Sequence, residues 1–440
     1  MSWAARFRLR QYTKASLWIV PLFGLVLGVA LAELATAADG ASWLPRTWDY
    51  SATTASSVLS SVVGSMVALL GFVVTIGVLV IQQATGTLSP RYMRLWYRDR
   101  LQKAVLATFT GTFAFAYTLL RSIETDSVPN LGVTLAGVAV SVSLLLLLIY
   151  LNRFTHNLRP VAIADIVGRL GEHVLGQAAA HLRSTAAPDG APPAGGPVTS
   201  VRSERGGVVQ ALDAPGLVLL GARHDCVLVL AASVGDFVEP GGSLVEVHGG
   251  APAPDPHRVA DLLALGAERT IEQDPAFALR ILVDIAIRAL SPAVNDPTTA
   301  VQVLNHIEAF LHTVGRVGLR SHYVLADDRG LPRLVLPGRA WEEYLELAVT
   351  EIRDYGASSV QVCRRLRALL EGLLAALPDS CRPALRAELV LLDEAVEREF
   401  GDASRRARAR TADLQGIGGR HTGDATPGDP GVGHTRMPLA

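Results

Sequence analysis

Four long apolar runs fill the first third of this chain, and basic residues flank only alternate ends of them. The runs centre on Leu17–Ala32, Val58–Ile81, Ala104–Leu120 and Val133–Leu151. A helix needs about 20 residues to cross a hydrocarbon core, and a spanning segment must satisfy its own backbone polar groups, so each run reads as a transmembrane helix. The expected spans lie near residues 16–36, 57–83, 104–121 and 131–151, within a membrane domain of residues 1–155. The lipid bilayer is therefore the first expected partner.

Charge orients the spans. Arg6, Arg8, Arg10 and Lys14 precede the first; Arg91, Arg94, Arg98, Arg100 and Lys103 lie between the second and third; Arg153, Arg159 and Arg169 follow the fourth. The other two loops carry only Arg46 and Arg121. Positive residues stay inside, which predicts a multi-pass protein of the cell inner (plasma) membrane with both termini cytoplasmic. Trp43, Trp48, Trp96 and Tyr97 fall where an interfacial aromatic belt is expected. The Arg-rich start, the apolar run and Ala35-Thr36-Ala37 also resemble a signal peptide with its cleavage site, but the run is long for one, and we expect a retained span.

The second span differs in chemistry from the others. Ser57, Ser60, Ser61, Gly64, Ala68, Gly71 and Thr75 recur at three- and four-residue steps and lead to Gln82 and Gln83. They make one face of small and hydroxyl residues, suited to close helix packing or, repeated around an oligomer axis, to lining a narrow polar pore. No span holds a charge near its middle, which argues against an ion-coupled pump or carrier.

The rest reads as a cytoplasmic α+β domain. Residues 156–183 are an amphipathic connecting helix, with a break expected at Pro160, and 184–197 a Pro/Gly/Ala linker. Residues 198–250 are Gly-punctuated and rich in Val and Leu, as short strands are. Their Val234-Gly235-Asp236-Phe237-Val238 and Gly241-Gly242-Ser243-Leu244 resemble the hairpin of biotinyl/lipoyl-like domains, which implies a small β-barrel of that shape. Residues 255–400 follow as a helical domain. Asp255-Pro256, Asp274-Pro275 and Asp296-Pro297 are three Asp-capped, Pro-started helices, and packed helices are expected from Asp255 to Thr313. A β-hairpin is expected over 322–336, and a disordered Arg/Gly/Pro-rich tail over 401–440.

Candidate sites are few. Arg280, Asp284 and Arg288 form an i, i+4, i+8 stripe on an otherwise apolar helix and lead into Ser291-Pro292-Ala293-Val294-Asn295-Asp296. A charged stripe on a core helix must find partners, so Arg280, Asp284, Arg288, Asn295 and Asp296 are the candidate ligand or gating junction, against a plain capped helix–turn–helix. Ser57, Ser61, Gly64, Gly71, Thr75 and Gln82 are the candidate packing or pore face. His306, Glu308 and His312 lack a metal-binding spacing, and no metal is expected. Cys226, Cys363 and Cys381 are scattered, and Lys14 and Lys103 are the only lysines. The region after the fourth span thus has no lysine for a Walker loop, a Schiff base or a biotinyl or lipoyl arm. No cofactor and no enzyme activity are expected. A net charge of −1 gives no reason to expect nucleic acid.

Three stretches carry a family resemblance. Leu282-Val283-Asp284-Ile285-Ala286-Ile287-Arg288-Ala289-Leu290-Ser291-Pro292-Ala293-Val294-Asn295-Asp296-Pro297 is similar to the signature of a bacterial family of predicted membrane proteins, domain of unknown function 2254. So are Gln82-Gln83-Ala84-Thr85-Gly86-Thr87-Leu88-Ser89-Pro90-Arg91 and the segment from Gly266-Ala267-Glu268-Arg269-Thr270 to Gln273-Asp274-Pro275. The resemblance implies the architecture above and no activity. The expected function is an oligomeric channel-like or regulatory conduit, a homo-oligomer with a cytoplasmic gating domain and an unknown small-molecule or ion ligand. The alternative is a non-conducting membrane-anchored sensor or scaffold.

Overall fold

A computed structural model describes residues 1–38, 50–87, 91, 98–124, 127–157, 159–185, 199–250 and 252–417. Trp43, Arg46, Trp48, Arg94, Trp96, Tyr97 and nearly all of the expected linker lie outside them. Four helices are long and apolar enough to cross a membrane: α2 (Ile19–Ala38), α3 (Ala52–Thr87), α4 (Arg100–Arg121) and α5 (Asn130–Asn157). A shorter basic helix, α1 (Trp3–Ala15), precedes them, and α6 (Pro160–Thr185) follows. The break between α5 and α6 falls at Pro160, whose fixed φ and missing N–H suit a first helical position.

Close backbone approach in the membrane part occurs on α2, not on the small face of α3. A Cβ on Gly24 would lie 2.2 Å from the Ala107 carbonyl oxygen, and one on Gly28 2.2 Å from that of Gly111. Gly24 and Gly28 are a G-x-x-x-G pair in an apolar helix, and their missing side chains let α2 lie directly on α4. The Thr110 hydroxyl donates across this contact to the Pro21 carbonyl (3.0 Å). Helix α3 packs inward through the opposite edge, with Ala55, Leu59, Val62, Met66, Val73 and Val80 buried against α4 and α5.

The soluble part has two open sheets. One is five-stranded in the order β1 (Thr199–Arg202), β5 (Ser243–Gly249), β3 (Cys226–Leu230), β8 (Pro332–Pro337), β7 (His322–Ala326). The other is three-stranded, β4 (Phe237–Val238), β2 (Gly207–Leu212), β6 (Leu263–Gly266). The expected biotinyl/lipoyl-like barrel is therefore not formed. The glycine turn does not fold β5 back on β4; β4 pairs antiparallel with β2, while β5 pairs with β1 and β3. The sheet stays open because β3 takes β8 as a parallel neighbour, drawn from a hairpin about a hundred residues downstream. Two local expectations also change. Ala214–Arg223 is a helix (α7), capped by Asp213 with Pro215 in its first turn, where only strands were expected. Leu263–Gly266, expected among packed helices, is a strand.

The remaining helices, apart from a short one that packs on the sheet core through Val259, form one bundle around a buried centre. Asp255, Asp274 and Asp296 cap α8 (Pro256–Ala260), α9 (Pro275–Ala289) and α10 (Pro297–Val317), each accepting from a backbone N–H of the first turn. Helix α9 packs on α6, α10 and α11 (Trp341–Gly356), and α12 (Val360–Ala376) and α13 (Arg382–Glu399) close the bundle. The charges that enter it are paired: the Arg365 guanidinium, 2% exposed, donates to Asn305 (3.0 Å) and Glu308, and Arg353 donates to Glu388. A disordered tail is expected over 401–440, of which 418–440 lie outside the described residues. Instead Ala403–Ala409 is a seven-residue helix, α14, capped by Asp402, and it buries Ala409 against Cys363, Val396 and Phe400. Arg410 pairs with Asp393 and Glu397, so its charge is compensated rather than solvated alone.

The contact between α2 and α4 makes a direct test. Gly28→Leu should lower the unfolding midpoint in detergent, by about 1–3 kcal/mol of overpacking strain. Gly64→Leu, built into open space, should leave the monomer's midpoint unchanged. Equal effects of the two would refute the packing described.

Candidate functional site

The soluble part meets the membrane helices through two carboxylates, one on α9 and one just before it. Asp284 is the acid of the charged stripe, and its side chain is only 9% exposed on a helix whose neighbours are apolar. It accepts from Arg280 Nε (2.9 Å) and, on its other oxygen, from Arg91. Arg91 lies just beyond the end of α3 and 193 residues away in sequence. Arg280 is held in turn by both oxygens of Glu351 on α11, one at 2.8 Å. Arg280 thus bridges two acids, and one of these acids reaches the membrane part.

Glu272 is the second carboxylate, three residues before α9. It accepts from Arg98, next to the start of α4 (2.9 Å), and from Lys14 at the end of α1 (3.3 Å). Arg98 also donates to Gln11 of α1. Burial pushes the Glu272 carboxyl up, but the Gln11 hydrogen bond and the Lys14 and Arg98 charges outweigh it and hold the group below the usual glutamate range. Helix α1 is fastened to the second sheet as well: Ala4 N–H donates to the Asp261 carbonyl (3.0 Å), and Ala4 packs on Ala211 and Ala264. The chain start, the α3–α4 connection and the region after α5 therefore share one side of the four helices.

The start of α9 is itself a built corner. Asp274 caps the helix through Phe277 N–H (3.0 Å) and accepts from Arg269 Nε (2.8 Å) and a terminal nitrogen (2.7 Å). Arg269 lies over the Phe277 ring at 5.2 Å. Gln273 pairs with both backbone groups of Leu212 (3.0 and 3.1 Å). Gly235, at φ +102°, rests on this ion pair; a Cβ there would come within 2.6 Å of Asp274 Oδ2. Only glycine suits both the turn and the approach.

The five candidate junction residues divide. Arg280 and Asp284 join Glu351 and Arg91 as described. Arg288 is exposed on the last turn of α9. Asn295 adopts a left-handed φ of +48°, and its N–H donates to the Ser291 carbonyl (2.8 Å). Asp296 caps α10 through Thr299 N–H (3.0 Å) and Thr299 Oγ1 (2.6 Å), while its own N–H donates to the Ala289 carbonyl (2.7 Å). The Ser291–Pro297 turn thus spends these groups on its own geometry. On α3, Ser57, Ser61, Gly64, Gly71, Thr75 and Gln82 are all exposed, turned away from the other described helices. Ser61 Oγ donates to the Ser57 carbonyl (2.8 Å), Ser65 Oγ to Ser61 (2.7 Å) and Thr75 Oγ1 to Gly71 (2.9 Å). Among the described residues no group of three or more His, Cys, Asp or Glu is placed to hold a metal; His306 packs near Gly168, and Glu308 is engaged by Arg365.

The sequence reading missed Glu272, Glu351 and the partner role of Arg91. Arg91 carried a signal only as one of several inside-facing cations. The Gly24–Gly28 pair carried a readable one, its four-residue spacing in an apolar segment.

These contacts join the stretches that carry a family pattern: the end of α3 with Arg91, the Arg269–Asp274 corner, and α9 with Asp284. Residues 14–372 match the model of the family described as predicted membrane protein, domain of unknown function 2254. The chain belongs to this family. Uncharacterized proteins of Mycobacterium bovis and Mycobacterium tuberculosis are each 30% identical to it over 420 residues, 90% of this chain and 79% of theirs. No solved structure matches. For this member of the domain-of-unknown-function 2254 family, then, the chain is a membrane protein, and its three motifs meet at one junction.

Two measurements probe that junction. A double-mutant cycle of Arg91→Ala and Asp284→Asn, read by thermal unfolding of the full chain, should give a coupling of about 0.5–1 kcal/mol, modest because Arg91 is half exposed. A coupling near zero would mean the pair does not form. For Glu272 the folded value is depressed, so its contribution is complete above the ordinary glutamate value of about 4.3 and is lost as pH falls through the lower folded value. Protection of the α1 amides, taken relative to the intrinsic exchange rate at each pH, should fall over that acid window in the wild type. In Glu272→Gln it should be low already at neutral pH.

Proposed function

We propose that this protein is a channel-like conduit of the cell inner membrane, assembled from several copies, with both termini cytoplasmic and the soluble region acting as its gate. One observation carries the reading: the serine, glycine and threonine face of α3 is turned away from the other described helices of its own chain. In hydrocarbon an exposed small-residue face gains from contact with another helix, because glycine lets backbones approach and serine adds hydrogen bonds. Placed around an axis, the same face lines a narrow uncharged polar path. The gate follows from the junction. Arg91, just past α3, is held by Asp284 of the soluble core, so a shift of α9 bears on the second span. No catalytic step belongs to this reading.

The second reading is a non-conducting, membrane-anchored sensor or scaffold. What favours it is the back-bonding of Ser61, Ser65 and Thr75 to their own helix, which takes those donors away from a lumen. Planar-bilayer recordings of the reconstituted protein separate the two. Conduction requires wild-type unitary currents that Gly71→Leu or Thr75→Val alters, with Gly64→Leu and Gly71→Leu shifting the oligomer band on native gels. Unaltered assembly in both glycine variants, or no current from well-reconstituted protein, rejects the conduit.

A further inference from the structure

A cavity of about 460 Å³ opens where α6, the start of α9, the start of α11 and strands of both sheets converge. Its volume is that of a small-molecule site. Val174, Leu175, Leu212, Pro215 and Leu336 supply apolar wall. Its acids are already engaged: Glu272 by Lys14 and Arg98, Asp274 by Arg269, and Glu343 by the Ala340 N–H at the start of α11 (2.7 Å). Gln273 is spent on the Leu212 backbone.

Arg339 and Tyr344 are lining groups with donors to spare. The Arg339 guanidinium makes no hydrogen bond or ion pair among the described residues, although its charge acts on Asp274 and Tyr344. Tyr344 is 4% exposed, and its ring packs on Phe310 at 6.1 Å between centroids. Its hydroxyl makes no hydrogen bond among the described residues. Burial pushes that hydroxyl above the ordinary phenol range, so it stays a neutral donor. The residue is buried, but its hydroxyl oxygen stays accessible and is open to a group in the cavity. Here Glu272 and Asp274 are paired with cations, Glu343 keeps its charge as it caps α11, a guanidinium fork is in surplus, and the positive end of the 16-residue α11 begins two residues after Arg339.

We propose that this cavity binds a small organic anion, an apolar body of about one ring carrying a single carboxylate or phosphate. Arg339 takes the anionic group, Tyr344 donates to it, and the apolar wall takes the body. The site also bears on the membrane junction, because Glu272 is both cavity wall and the partner of Lys14 and Arg98. Binding itself does not depend on the conduit reading.

The test uses the full-length protein in detergent with fluorine NMR line broadening of three probes: fluorobenzoate, fluorophenyl phosphate and uncharged fluorobenzamide. The wild type should broaden at least one anion well beyond the amide, and which anion it favours assigns the head group. Arg339→Gln should weaken that binding by about tenfold or more, and Tyr344→Phe by a smaller factor. Ala178→Phe, which fills the cavity and leaves Arg339 in place, should abolish it, and this variant decides the matter if Arg339→Gln does not fold. Anions broadened no more than the amide would overturn the site. So would binding that survives unchanged in Arg339→Gln or in Ala178→Phe.

Discussion

Asp284 is a carboxylate on a helix that is apolar on nearly every other side. A buried charge of that kind is tolerated only when cations and hydrogen bonds answer it. Arg280 answers from one turn back and is itself shared with Glu351 of α11. Arg91 answers from the membrane part. The charge therefore fixes three things together: how α9 is rotated, where α11 lies on it, and where the second span ends. Glu272 repeats the device for α1 and α4 with Lys14 and Arg98. Both pairs are partly open to solvent at the cationic side, so they are worth less than buried pairs and are easier to break.

Inside the membrane a different economy holds, because lipid tails remove the hydrophobic drive between helices and leave shape and hydrogen bonding. Helix α2 uses shape: at Gly24 and Gly28 its backbone meets the carbonyls of α4 at distances no Cβ allows. Helix α3 has the same small residues, but Gly64 and Gly71 have nothing within 4 Å. The Ser61, Ser65 and Thr75 hydroxyls donate to its own carbonyls. Small residues on two helices thus have two settings, one buried within the chain and one exposed.

The soluble part is organised by its caps. Asp213, Asp255, Asp274 and Asp296 each start a helix after a short connection, and a proline in the first turn of each rules out a continued strand. Asp274 does more than cap. With Arg269 it forms the ion pair on which Gly235 rests, tying the turn before β4 to the first turn of α9. The two sheets and the helical bundle are joined there, and the cavity with Arg339 and Tyr344 opens beside the same corner.

Local chemistry was legible along the chain. Spans follow from apolar length, helix starts from Asp-Pro pairs, the β7–β8 hairpin from Asp327-Asp328-Arg329-Gly330, and the charged stripe from its four-residue spacing. These signals act within a few residues, and a sequence states them directly. What α3 shows to its neighbours, which strand β3 accepts, and which cation reaches Asp284 were not legible. The glycine turn predicts a reversal but not that β4 leaves for another sheet. The serine face predicts a contact but not that Leu59 and Met66 hold the inner side instead. The Ala403–Ala409 helix was not legible because so short a helix owes its stability to burying Ala409 and pairing Arg410, not to its own propensity. The sequence by itself determined the spans, the Asp-capped helix starts and the charges that had to be met. The tertiary structure decided which distant groups met them, because pairing across 193 residues depends on the packing of everything between.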